Sequence, residues 1–93
     1  MAGALKEVID LKQSLSLREK RDEYNAFWIN ENPHVSQTLR SAEDAVRKCF
    51  GDLKAEVFRR GVRGVSLTDI YDRDIKTLQA YEDRLVELIR ELQ

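Results

Sequence analysis

The chain carries one cysteine, one proline, one histidine and four glycines in 93 residues, and almost no excess of charge. A lone cysteine, Cys49, cannot close an intramolecular disulfide, which points to a reducing compartment such as the cytoplasm. With a single histidine, His34, the Cys/His spacing that zinc requires does not exist. No apolar run approaches the roughly 18–20 residues that span a bilayer, so no membrane association is expected. The opening Met1-Ala-Gly-Ala-Leu-Lys-Glu7 has neither the basic start nor the apolar stretch of a secretory signal. Lys and Arg total 16 against 17 Asp and Glu. That balance argues against a domain that wraps duplex DNA by neutralising phosphates.

Chemical motifs are equally scarce. Gly61-Val-Arg-Gly64 lacks the spacing and the lysine of a phosphate-cradling loop. Asp69, Asp72 and Asp74 lack the mid-loop glycine and closing glutamate of a calcium loop, and read instead as acids favoured by a helix N-terminus. No nucleophile stands at a useful spacing from a base. The expectation is a non-enzymatic protein with no cofactor, metal or small-molecule substrate.

What the sequence does have is helical periodicity. Apolar residues are 42% and charged residues 35%, a balance that suits amphipathic helices with wide polar faces. One seam runs Val35, Leu39, Ala42, Val46, Cys49, Leu53, and a second runs Leu67, Tyr71, Leu78, Tyr81, Leu85, Leu88, Leu92. Steps of three and four place each set along one stripe of a helix. On this reading Cys49 is a buried, inert thiol.

Asn32-Pro33 marks a start, with asparagine as N-cap and proline in the first helical position. Gly61 and Gly64 mark an end, and Ser66-Leu-Thr-Asp69 a restart. Glu43/Arg47, Asp44/Lys48 and Glu56/Arg60 have the acid four residues before the base, the favoured helical pairing. Gly51 weakens that helix by roughly 1 kcal/mol relative to alanine without ending it. The alternative for residues 57–67 is a tight β-hairpin.

The N-terminal third has apolar faces at Leu5, Val8, Ile9, Leu11, Leu15 and at Tyr24, Phe27, Trp28, Ile29, separated by the charged Arg18–Glu23. Ser16-Leu-Arg-Glu19 is a capping box that hints at a break near Ser14–Ser16. We read one helix here, kinked or continuous. Helices over about 4–30, 33–60 and 67–92 then come out nearly equal in length, ~40 Å each at 1.5 Å per residue. The expected fold is all-α: an antiparallel up-down-up three-helix bundle in one domain, built on a long helical hairpin. A second copy completes the bundle in a variant of this reading.

Two surfaces stand out as candidates. The first is Arg18, Arg21, Tyr24, Phe27 and Trp28, where a charge-only window adjoins aromatics of the kind enriched at binding hot spots. The second is a basic tip, Arg59, Arg60 and Arg63, suited to phosphates or an acidic protein surface. Helix C-termini favour arginine in any case. The expected function is a helical protein-interaction module, an adaptor or a small structural subunit that binds a protein partner or itself. The alternative is a small nucleic-acid-associated subunit acting through the basic tip. Over about the last third of the chain, the order of helix, glycine-containing turn and Ser66-x-x-Asp69 opening a final amphipathic helix is similar to small bacteriophage head-to-tail joining proteins. That resemblance rests on common helix punctuation and implies, within the alternative, a virion-joining subunit.

Overall fold

The computed structural model describes residues 1–18, 20–28, 31–61 and 69–92. The described chain is all-helical: α1 (Ala2–Arg18), α2 (Arg21–Phe27), α3 (Pro33–Phe50), α4 (Asp52–Gly61) and α5 (Ile70–Leu92). The expected first helix over 4–30 is therefore two helices, and the expected second over 33–60 is also two.

The second division has a clear cause. Gly51 sits at φ 94°, ψ 175° as the C-cap of α3. Only glycine adopts that backbone without strain, so the chain uses the residue to stop one helix and start another. The seam loses its register there. Val35, Ala42 and Val46 are buried as expected, but Cys49 and Leu53 are exposed. In their place Ala55 and Phe58, three apart on α4, turn inward. Val57 and Phe58 are thus helical, and the rest of the β-hairpin alternative lies outside the described residues.

The first division falls after Arg18 and not at Ser14–Ser16. Lys20 is extended, at φ −90° and ψ 140°, and begins α2. The described side chains of the charged window, Lys20 to Glu23, are all exposed, and the division between α1 and α2 falls there. Val8 and Leu15 of α1 are buried, while Leu17 at the end of α1 is 85% exposed.

Contacts between helices set their directions. Lys12 pairs with Glu82 at 2.7 Å, and the Tyr71 hydroxyl donates to the Leu15 carbonyl at 3.5 Å. The α1 helix is therefore antiparallel to α5. Asn32 and Asp74 both bond Tyr24 at one end, and the Tyr81 hydroxyl donates to Glu43 farther along at 3.0 Å. The α3 and α5 helices therefore run parallel. That corrects the expected up-down-up hairpin of two long seams. The return stroke is α4: Lys54 pairs with Glu91, while Phe58 meets Tyr81 edge to face at 4.9 Å between centroids. Both contacts require α4 to fold back along α3.

The core is one cluster drawn from all five helices, with Val8, Leu15, Tyr24, Val46, Phe58, Leu78, Leu85 and Leu88 among its members. Full burial of a side chain such as Phe58 or Leu85 contributes about 1.5–3 kcal/mol. The second seam holds at Leu78, Tyr81, Leu85 and Leu88, whereas Leu92 at its end is exposed; Leu67 lies outside the described residues.

Candidate functional site

Where α2, the start of α3 and the start of α5 converge, the interior is polar. Asn32 caps α3 by accepting from the His34 N–H at 2.9 Å. Its amide donates to the Tyr24 hydroxyl at 3.1 Å, and that hydroxyl donates to Asp74 Oδ2 at 2.5 Å. Tyr24, Asn32 and Asp74 are all buried. Burial raises the Tyr24 phenol above its ordinary pKa, and the hydrogen bond to Asp74 raises it further by favouring the neutral donor. Arg73 adds a contact to the other Asp74 oxygen at 3.4 Å. The carboxylate is thus compensated on both sides, as a buried charge must be.

A ring of surface polar contacts surrounds this node. Arg21 bridges to Asp69 and to Asp72 at 3.0 Å. Asp69 caps α5 by accepting from the Asp72 N–H at 2.8 Å. That bond, with the Arg21 guanidinium after it, holds the Asp69 carboxyl below its ordinary pKa. Asn25 accepts from the Tyr71 N–H at 2.9 Å. The Arg21 and Asn25 contacts tie α2 to the first turns of α5.

The first candidate surface is therefore divided by the fold. Tyr24 is core, whereas Arg21 stays about half exposed while it bridges to α5. The side chain of Arg18 lies outside the described residues. Phe27 is 74% exposed and stacks edge to face on Trp28 at 4.6 Å. Trp28 is half-buried and meets His34 at 6.4 Å. Phe27 alone keeps a large uncovered apolar area.

At the basic tip Arg59 is exposed. Arg60 bridges to Glu56 at 2.6 Å, as the helical spacing predicts. Arg63 lies outside the described residues. The other expected helical pairs rearrange: Arg47 bonds Asp44 and Asp52, because Glu43 is taken by Tyr81.

The surface that sequence reasoning missed is the outer side of α4. Leu53 is 77% exposed and Val57 48%, one turn apart, while Ala55 and Phe58 on the opposite side are buried. An amphipathic helix needs one apolar stripe to join a core; α4 has two. Its signal was present as a fresh phase beginning at Gly51, hidden by reading the seam of α3 straight through to Leu53.

A cleft of about 270 Å³ lies beside the polar node, walled by Glu31, Ser36, Leu39, Arg73, Asp74 and Thr77. The Ser36 hydroxyl donates to Glu31 at 2.7 Å. Among the described residues no group of three or more His, Cys, Asp or Glu side chains is placed to hold a metal ion. No described helix is long and apolar enough to cross a membrane. Comparison with protein families, curated proteins and solved structures finds no match.

Proposed function

We propose that this chain is a helical protein-interaction module, an adaptor or small structural subunit, and that the outer face of α4 is its docking surface. The observation that carries this reading is the second apolar stripe of α4, Leu53 and Val57, uncovered on a helix whose other stripe already serves the core. Single exposed apolar residues need no explanation, but paired ones on a rigid helix suit helix-against-helix recognition. The helix is held in place by Phe58 against Tyr81 and by the Lys54–Glu91 pair. A partner therefore meets a preorganised face and loses little ordering entropy on that side.

The test is a photo-crosslinking residue placed at Leu53, and separately at the exposed Gln37 of α3, in cells that make the protein. A discrete protein adduct from position 53 and none from position 37 is the expected result. Equal or absent adducts from the two positions would overturn the reading.

A further inference from the structure

We propose that the occupant of the α4 face is a second copy of this chain, docked with the two α4 helices antiparallel across a two-fold axis between Leu53 and Val57. The inference rests on the reading of α4 as a docking face and adds the identity of what covers it. The argument is the order of charge along the helix. Its exposed acids, Asp52 and Glu56, come first, and its exposed bases, Arg59 and Arg60, come last.

A parallel copy would set acid against acid and base against base. An antiparallel copy sets Asp52 at the start of each helix against Arg59 and Arg60 at the end of the other, twice by symmetry. It brings only the two Glu56 side chains together near the axis. Leu53 and Val57 then meet their counterparts at the centre, with charges at the rim, the ordinary layout of a protein interface. The Arg47–Asp52 and Glu56–Arg60 bridges do not prevent this, because exposed pairs of this kind are held weakly and can be shared across the axis. Lys54 stays out of the contact, engaged by Glu91 and lying over the Phe50 ring.

A contact of about two helical turns belongs to the weak, reversible class. Association is therefore read by light scattering and sedimentation from about 10 µM to about 1 mM, where such contacts dissociate. Reducing buffer is used because Cys49 is exposed. Two variants make the test specific: D52K/E56K, whose α4 rim is entirely basic, and R59E/R60E, whose α4 rim is acidic apart from Lys54. The native chain is expected to approach the mass of two copies. Each variant alone is expected to remain a single chain, and an equal mixture of the two to recover the mass of a pair.

A native chain that stays single to about 1 mM overturns the proposal. So does a dimer indifferent to both charge variants, or a mixture that fails to pair. Helical circular dichroism confirms that each variant folds. If one does not, the single variant V57K serves, with dimerisation expected to weaken at least ~10-fold and an unchanged dimer counting against the proposal. A single native chain together with a foreign adduct at position 53 would overturn the second copy alone and leave the interaction module standing.

Discussion

The Tyr24 hydroxyl donates to the Asp74 carboxylate at 2.5 Å, across fifty residues of sequence, and with Asn32 it joins three helices at one buried point. The short helix α2 has one buried residue, and it is this tyrosine. Its remaining links to α5, through Arg21 and Asn25, are polar and near the surface. The attachment of α2 therefore rests on one buried aromatic residue, through its ring in the core and its hydroxyl at the polar node.

Tyr24→Phe keeps the ring and its edge-to-face contact with Tyr71 at 5.4 Å, and removes only the hydroxyl. Asp74 Oδ2 then loses its donor, while Arg73 still reaches the other oxygen, and the Asn32 amide loses its acceptor. Leaving buried polar groups unpaired costs about 1–3 kcal/mol, more where one is charged. Denaturant unfolding of the variant should show a loss in that range, with hydrogen exchange accelerated across α2. A loss below about 0.5 kcal/mol would mean that water replaces the hydroxyl at no cost.

The same phenol predicts an alkaline dependence. Folding raises the Tyr24 pKa above its ordinary 10.0. The unfolded chain therefore gives up this proton first as the pH rises. Stability from this group is complete below about pH 10 and is lost as the pH climbs through the folded value. Lysines titrate in the same range, so the informative quantity is the gap in melting temperature between wild type and Tyr24→Phe. That gap should narrow as the pH rises from about 10 to about 12. A constant gap would show that the phenol does not titrate with unfolding.

Much of this was legible and some was not, for identifiable reasons. The all-helical class followed from the spacing of Val35, Ala42 and Val46 and of Leu78, Leu85 and Leu88, all of them buried. The Asn32-Pro33 start also followed from local chemistry, which is the part of structure that neighbouring residues decide. The direction of packing did not, because it depended on one glycine. Read as a helical residue, Gly51 costs a little; adopting φ 94°, it reverses the chain and makes α3 parallel to α5. Asp74 was misplaced for a different reason. It stands three residues after Tyr71 and four before Leu78, a seam position, and only the distant Tyr24 makes a carboxylate acceptable there.

Gly51→Ala tests the reversal directly. A Cβ at Gly51 would meet no atom within 4 Å, so space is not the obstacle. The obstacle is the backbone, since that region of φ and ψ is essentially restricted to glycine. The expected loss is about 1–3 kcal/mol. Gly3 in α1 has the same open surroundings without a positive φ, and Gly3→Ala should be neutral or gain up to about 1 kcal/mol. Equal effects from the two substitutions would remove the argument that Gly51 is held where only glycine is comfortable.

Aspartate placed at four positions separates the interior from the docking face. Val46 and Leu85 are wholly buried in the core. Val46→Asp and Leu85→Asp each force either a charge or an unpaired carboxylic acid into a dry interior. A loss of several kcal/mol, enough to unfold a domain of this size, is expected from either. Leu53→Asp and Val57→Asp place the same charge in water on the outer side of α4, and thermal unfolding should move by less than about 0.5 kcal/mol. Cys49 belongs with that exposed pair, since it stands in solvent just before the Gly51 turn. In the native protein it should be modified by a thiol reagent without prior unfolding. If Leu53→Asp proved as damaging as Val46→Asp, α4 would be presenting its core stripe and not a second one, and the docking face would lose its basis.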